Sequence, residues 1–160
     1  GEQERVLKTL PGMAEANFVR FGVMHRNTFI NSPLHLNEDL EFKTRPGLFF
    51  AGQITGSEGY TEAVASGHYV ALRILQKAKL PETSAIQNLV RFVVQSDPRY
   101  FQPMNFNFGL LPDVPFTKEN PRPQGVSAKV WRGRLKSERA LKDLRLWIEQ
   151  AEGVKKATNA

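Results

Sequence analysis

A short apolar run, a glycine-punctuated turn and a long helical pattern, together residues 48–78, constrain the fold of this chain most. The run at residues 48–51 reads Leu-Phe-Phe-Ala between Pro-Gly and Gly, which favours a strand buried on both faces of a parallel sheet. From Tyr60 onward the apolar residues recur at helical spacing, so we expect a helix of about five turns with one face buried. That face would comprise Tyr60, Ala63, Val64, Gly67, Ala71, Ile74, Leu75 and Ala78.

Three glycines, Gly52, Gly56 and Gly59, separate the apolar run from the helix. The first turn of a helix leaves about four backbone N–H groups without intrahelical acceptors, and glycines let a ligand approach that backbone closely. An anionic or carbonyl-bearing ligand fits such a place. The same glycines also suit a tight turn that only packs a helix on a sheet. Spacing alone leaves both interpretations open.

The net charge of the chain is concentrated in its last quarter. Residues 1–117 carry 11 Lys/Arg and 11 Asp/Glu, whereas the rest of the chain, from Lys118 onward, carries 11 basic and 5 acidic residues. A local basic excess of this kind is typical of a surface that contacts nucleic-acid phosphates. A solvated amphipathic helix with a basic outer face would show the same pattern.

Several classes of site are excluded or disfavoured by composition. The chain has no cysteine, which excludes a disulfide framework, a Cys-based metal site and a thiol nucleophile within it. Its three histidines, His25, His35 and His68, match no zinc spacing, so we expect no metal. No apolar run approaches the roughly 18 residues of a membrane span, so we expect no membrane partner and a cytoplasmic location. The sequence begins with Gly1 rather than Met, from which we expect a piece of a longer chain.

The segments before the central unit predict a helix, two strands and a hairpin. Residues 2–10 form the helix, residues 17–22 and 28–31 form strands, and the alternating pattern of residues 34–42 forms a small β-hairpin. Between the two strands, residues 22–27 are dense in hydrogen-bonding side chains and would line a site. His25 could serve there as an acid, base or donor, or it could be a structural histidine.

After the central unit the pattern predicts a helix, an aromatic loop and a basic helix. Ser84 or Thr83 caps a helix that ends before Asp97, with Ile86, Leu89, Val90 and Val93 buried. Residues 99–112 follow neither regular period, and their rings can stack on a nucleobase or flavin, or fill the core. The part at residues 101–112 is called the aromatic loop here. Residues 113–130 read as an extended linker. The last helix has an apolar stripe formed by Leu135, Leu141, Leu144, Trp147, Ile148 and Ala151.

Three motifs in the same order resemble one enzyme family. They are GVMHRNTFINSP at residues 22–33, LFFAGQITGSEGYTEAVASG at residues 48–67, and FQPMNFNFGLLP in the aromatic loop. Together they are similar to the C-terminal portion of the folate- and FAD-dependent tRNA (uracil-5-)-methyltransferases, the TrmFO family, over nearly the whole chain. Ser57, Thr61 and Val64 depart from the expected pattern, but the glycines are intact.

The resemblance implies an enzyme that takes a one-carbon unit from methylenetetrahydrofolate. This unit passes through FAD to C5 of the T-loop uridine of tRNA, with NAD(P)H reducing the flavin. The family's nucleophilic cysteine and its first dinucleotide fingerprint belong to an earlier part of the chain. We therefore expect no catalytic residue here, and a fragment that is inactive without the N-terminal remainder of the same flavoprotein.

The resemblance also assigns site residues. Gly52 and Gln53 would approach the ribitol and pyrophosphate of FAD, Gly56 would also belong to the FAD-binding turn, and Gly59 and Tyr60 would begin a helix whose amides face the flavin pyrimidine carbonyl. The motif residues His25, Arg26 and Asn27 would lie near the isoalloxazine ring. The tRNA surface would be formed by the basic residues Arg132, Arg134, Lys136, Arg139 and Lys142.

The expected fold is α/β, the C-terminal part of a Rossmann-like FAD-binding domain with a small β-hairpin and a helical C-terminal segment. Residues 1–80 would close the FAD-binding domain, residues 81–112 would pack a helix and the aromatic loop on it, and residues 113–160 would form the linker and basic helix. The alternative is a non-catalytic RNA-binding module that uses the basic helix and aromatic loop. In that case the strand–turn–helix unit would be purely structural.

Overall fold

The computed structural model describes residues 1–21, 27–75 and 79–158, with only the backbone given for residues 152–158. Five α-helices make up most of the regular structure. They are α1 (Glu2–Leu7), α2 (Ser32–His35), α3 (Tyr60–Ile74), α4 (Ala85–Gln95) and α5 (Ala128–Thr158), and a 3-10 helix spans Gln53–Thr55. Within the described ranges no helix is long and apolar enough to cross a membrane.

The predicted strands are wrong for the residues that the structure describes. Residues 17–21, 28–31 and 48–51 contain no regular strand, and the β pairing consists of isolated bridges. Among the described residues, the run at residues 48–51 bonds the short segment before it: the Phe50 amide donates to Leu40 O at 3.0 Å, and the Phe42 amide donates to Leu48 O at 2.8 Å. A strand needs a partner along its whole length, and periodicity does not supply one.

The predicted hairpin at residues 34–42 is replaced by a helical turn and one antiparallel bridge. Pro33 lies in the first turn of α2, where its fixed φ and missing N–H are tolerated. The chain then turns so that Leu36 pairs with Phe42. The Asn37 side chain organises this turn, because its Oδ1 accepts from the amides of Asp39 (2.9 Å) and Glu41 (3.0 Å). The alternating apolar residues at positions 34–42 thus belong to a compact turn and not to a regular hairpin.

Helix α4 confirms its prediction closely. Ser84 is the N-cap, and its hydroxyl accepts from the Gln87 amide at 3.3 Å. Of the four apolar residues predicted to be buried, Leu89, Val90 and Val93 are buried, and Ile86 is half-buried against the core. Val90 and Val93 contribute to one core cluster between α3, α4 and the turn that follows α2. The buried members of this cluster are Leu36, Leu40, Tyr69, Val70, Leu80, Val90, Val93 and Val94.

Helix α3 begins at Tyr60 as predicted, but it buries a different face. Ser66, Tyr69 and Val70 are buried, whereas Tyr60 and Val64 are 89% and 76% exposed. The Tyr69 hydroxyl donates to Glu38 O at 2.7 Å, which fixes this face against the core. The predicted face was expected to pack on a sheet, and the described residues form none. The remaining exposed residues of that face are Ala71, Ile74 and Leu75, and Ala78 lies outside the described residues.

Helix α5 packs on the core through part of its predicted stripe. Leu144 and Trp147 contact the core cluster and Leu135 is buried, but Leu141 and Ile148 are 52% and 43% exposed. The Thr83 hydroxyl donates to the Asp143 carboxylate at 2.6 Å, which joins α5 to the segment before α4.

Candidate cofactor-binding turn and basic helix

The glycine turn between residues 51 and 60 is held to α3 by its own polar groups. The Gly52 amide donates to the Ser66 hydroxyl at 2.7 Å, and this hydroxyl donates in turn to Ala63 O at 2.8 Å. The Thr55 amide and hydroxyl both bond Gly52 O, at 3.0 and 2.8 Å. The turn is therefore a fixed structure with its backbone conformation set before any ligand arrives.

The three glycines of the turn have different surroundings, although all three have positive φ. A Cβ built on Gly56 would overlap the Phe101 ring, and one built on Gly59 would overlap the Glu62 carboxylate. For Gly52, by contrast, the nearest atom is the Ala63 Cβ at 3.9 Å. Gly56 and Gly59 are thus used for internal packing, whereas a Cβ on Gly52 would make only an ordinary contact with Ala63.

The N-terminus of α3 can accept a carbonyl or anionic group. Gly59 is its N-cap and provides no side-chain acceptor. The first intrahelical bond runs from the Ala63 amide to Gly59 O at 2.9 Å, so the amides of the first turn lack intrahelical acceptors. Tyr60 is largely exposed at this end of the helix. Of the predicted FAD-binding residues, the structure thus brings Gly52, Gln53, Gly56, Gly59 and Tyr60 together in one turn.

The aromatic loop lies against this turn, which sequence reasoning did not anticipate. Ser57 and Met104 form a parallel bridge: the Glu58 amide donates to Met104 O at 3.1 Å, and the Met104 amide donates to Gly56 O at 3.0 Å. Two residues later, the Phe106 amide donates to the Glu62 carboxylate at 3.1 Å. The only sequence signal for this contact is a glutamate in the first turn of a helix, which the helix dipole explains equally well.

The rings of the aromatic loop differ in exposure, and the predicted use in filling the core is confirmed for Phe101. Phe101 is 5% exposed and fills the core between Phe29 and Phe92, with ring centroids 5.9 and 6.1 Å away. Phe108 is 50% exposed and contacts the Phe106 ring edge-on at 5.9 Å. One ring is thus structural, and another is available at the surface.

The segment after the first motif also reaches the turn. The Ile30 amide donates to Ile54 O at 2.9 Å, and the Ser32 hydroxyl donates to Thr55 O at 2.7 Å. Asn27 is exposed, and the predicted isoalloxazine contacts His25 and Arg26 lie outside the described residues. The structure therefore brings residues 30–32 beside the turn and leaves the roles of the three motif residues as a prediction.

Two of the basic residues of α5 that were predicted to contact tRNA bond the aromatic loop instead: Lys136 is buried and Arg139 is half-buried. Lys136 is 6% exposed, and its ammonium donates to Phe108 O (3.1 Å) and Leu111 O (2.9 Å) and pairs with the Asp113 carboxylate at 2.9 Å. The ammonium holds the pKa of Asp113 below its usual range through this hydrogen bond. Arg139 donates to the backbone oxygens of Pro112 and Asp113. Both side chains bind the end of the aromatic loop.

The other predicted RNA-binding residues are exposed. The Arg132 guanidinium lies over the Phe116 ring at 5.2 Å, and that of Arg134 lies over the Trp131 ring at 5.4 Å. Lys142 is exposed one turn or more further along the helix. In the part of the chain that the structure covers, no group of three or more His, Asp or Glu side chains is arranged to hold a metal ion.

Comparison with known proteins decides the family. The family model of glucose inhibited division protein A matches residues 1–82, which include the whole glycine turn. The chain belongs to this family. Many curated relatives are similar well beyond residue 82, and proteins from Natranaerobius, Desulforudis and Crocosphaera are each named methylenetetrahydrofolate–tRNA-(uracil-5-)-methyltransferase TrmFO. The resemblance inferred from the three motifs is therefore confirmed.

The relatives are similar to almost all of the chain but are much longer. The protein of Natranaerobius thermophilus is 46% identical over 155 residues, which is 93% of this chain and 34% of the relative. That of Desulforudis audaxviator is 43% identical over 160 residues, 96% of this chain and 35% of the relative. That of Crocosphaera subtropica is 50% identical over 128 residues, 76% of this chain and 28% of the relative. The chain spans about a third of the length of the curated relatives it matches.

Proposed function

We propose that this chain is one portion of a flavin-dependent tRNA (uracil-5-)-methyltransferase and supplies the closing turn of its FAD site, as part of a Rossmann-like FAD-binding domain. The observation that carries the proposal is the glycine turn itself: a Cβ built on Gly52 would meet no described atom closer than 3.9 Å, and the first-turn amides of α3 have no intrahelical acceptor and no side-chain cap. The names of the relatives supply the reaction class.

The residues of the turn fit a flavin dinucleotide. Backbone N–H groups at a helix N-terminus favour negative charge, so the amides of Tyr60 and Thr61 would bind a flavin carbonyl and stabilise charge on the reduced ring. A Cβ at position 52 would fill the space that the ribitol or pyrophosphate needs. When bound, FAD would relay a one-carbon unit from methylenetetrahydrofolate to C5 of the T-loop uridine, with NAD(P)H as the reductant.

Activity would require the rest of the protein. The chain has no cysteine, so the nucleophile that activates uracil would come from a portion that this chain does not contain. The exposed apolar face of α3 supports this dependence, because Tyr60, Val64 and Leu75 are 89%, 76% and 65% exposed along one side of the helix. A contiguous apolar stripe of this kind marks a contact surface. Its partner would be the N-terminal remainder of the same flavoprotein.

The tRNA would contact the exposed arginines at the start of α5. Arg132 and Arg134 each lie over an aromatic ring and keep their charge at the surface, and Lys142 is exposed further along the helix. Lys136 is excluded from this surface because it is buried, and two N–H groups of Arg139 already bond the backbone at the end of the aromatic loop. Such a reaction would take place in the cytoplasm.

The test is an FAD titration of the chain alone and mixed with the portion of the Natranaerobius relative that this chain does not match, followed by flavin fluorescence. We expect quenching only in the mixture. Val64→Asp should weaken quenching about tenfold or more, since it places a charge on the apolar face of α3. Val130→Asp is the matched control, because Val130 is 64% exposed on a different helix.

Failure of FAD to bind in the mixture, together with tight and salt-sensitive tRNA binding by the chain alone, would overturn the proposal. The RNA-binding module would then be the better account. In the mixture, Arg132→Gln should weaken tRNA binding and reduce its salt dependence, whereas Arg99→Gln, which changes an exposed arginine outside α5, should leave both unchanged.

A further inference from the structure

We infer that Lys136 is a positioning residue for the glycine turn: from α5 it fixes the aromatic loop, which in turn fixes the N-terminus of α3. The cofactor part of this inference rests on the proposed function, but the positioning part concerns this chain alone. Lys136 then does not bind tRNA; it maintains the geometry of the candidate FAD site.

Each N–H donor of the Lys136 ammonium has an acceptor within the protein. A lysine ammonium has three N–H donors, and the three acceptors Phe108 O, Leu111 O and the Asp113 carboxylate lie within 3.1 Å of the nitrogen. The side chain is 8% exposed, so water cannot readily replace a lost acceptor. A buried charge of this kind stabilises only the arrangement that keeps all its partners, and it therefore fixes the end of the aromatic loop.

Very few residues separate the end of the aromatic loop that Lys136 binds from the residue that bonds the glycine turn. Phe106, whose amide bonds Glu62, is two residues from Phe108, whose carbonyl oxygen bonds Lys136. Two residues span at most about 7 Å, so a movement at one end is transmitted to the other. The Phe108 ring also lies close to α5, since a Cβ built on Gly133 would be 3.9 Å from this ring.

If the aromatic loop were released, the glycine turn and the start of α3 would lose the bond between the Phe106 amide and Glu62. The Phe106 amide holds one oxygen of Glu62, which lies in the first turn of α3. A glutamate three residues after the N-cap can instead bond back to the amides of its own helix end. The other oxygen of this carboxylate already lies beside Gly59, so a released Glu62 would be free to bond the first-turn amides that a flavin carbonyl needs. Lys136 thus keeps these amides available, although it does not contact the cofactor.

The test is hydrogen exchange of the full chain with and without Lys136→Met. We expect the amides of Glu58, Met104 and Phe106 to exchange about tenfold faster or more in the variant, since their acceptors are no longer held in place, while the amides of α4 exchange as before. Leu135→Ala is the matched control: it removes a buried side chain next in sequence but no donor to the loop. It should not speed these three amides selectively.

If Lys136→Met does not fold, Asp113→Ala provides the second variant, because Asp113 is 84% exposed and only its pairing with Lys136 is lost. It should speed the same three amides, to a smaller extent. Unchanged protection of these amides in every folded variant, or equal loss of protection in α4, would overturn the inference.

A cofactor readout separates this inference from the proposed function. In the mixture with the remainder of a relative, Lys136→Met should weaken FAD binding about tenfold, while Leu135→Ala should not. If FAD does not bind to the unsubstituted mixture, the proposed function fails, and the exchange result still decides the positioning role. If FAD binds the Lys136→Met mixture as tightly as the original, Lys136 does not position the site.

Discussion

Gly56→Ala tests whether the middle glycine of the turn serves packing inside the protein. Gly56 has φ near +91°, and a Cβ there would overlap the Phe101 ring. Positive φ costs a residue with a Cβ about 1–2 kcal/mol, and an extra methyl group in a packed interior costs about 1–3 kcal/mol more. The ring cannot move aside easily because it lies between Phe29 and Phe92. We therefore expect a loss of about 2–5 kcal/mol in the free energy of unfolding.

The assay is urea denaturation followed by circular dichroism at the helical minimum, with Gly47→Ala as the matched control. Gly47 has φ near +83° but no atom within 4 Å of a built Cβ, so it isolates the cost of the backbone conformation. With a slope of about 2 kcal/mol per molar urea, the two midpoints should differ by about 0.5–1.5 M. Phe101→Leu should recover part of the difference when combined with Gly56→Ala. Equal midpoints for the two glycine variants would refute the packing argument.

Two further predictions concern the contacts of Glu38. Tyr69→Phe should lower the free energy of unfolding by about 1 kcal/mol, because it removes the hydroxyl that donates to Glu38 O. The control, Tyr60→Phe, changes an exposed ring of the same helix and should change this free energy by less than about 0.5 kcal/mol. Equal effects of the two variants would contradict the reasoning. The Lys79 ammonium, bonded at 2.9 Å, holds the pKa of the Glu38 carboxyl below its usual range. Because the folded pKa is lowered, this stabilisation is present above about pH 4.3 and is lost as the pH falls through the folded value. Lys79→Met should therefore make the urea midpoint fall less steeply between about pH 5 and 3, and an unchanged slope would show that the pair contributes nothing.

The parts of the fold that sequence predicted well depend on local chemistry. The N-cap Ser84, the apolar spacing of α4 and the start of α3 after Gly59 are all set by residues within one or two helical turns. The strand predicted at residues 48–51 failed because a strand is completed by distant backbone groups, and the apolar run says nothing about where they are. The buried face of α3 was misassigned for the same reason, since periodicity cannot say which layer lies against which side.

The candidate site was predicted in part. The glycine motif placed the turn and the helix end correctly, but Glu62 and Met104 were missed as the contacts that join the turn to the aromatic loop. Sequence places Lys136 at the surface because lysines are almost never buried without partners. Its partners are backbone carbonyl oxygens and an aspartate more than 20 residues earlier in the chain, which residue types and spacing do not encode.

The bond between the Phe106 amide and Glu62 also has a consequence for the timing of folding. It spans 44 residues, and Lys136 reaches back another 28 residues to Phe108. At about 5–20 residues per second, the ribosome adds Phe106 roughly 2–9 s after Glu62. Throughout that interval the nascent turn has no loop against it, and its glycines and amides stay open to water. The glycine turn is thus synthesised well before the residues that pack against it. We therefore expect it to be among the last parts of this chain to become ordered during synthesis.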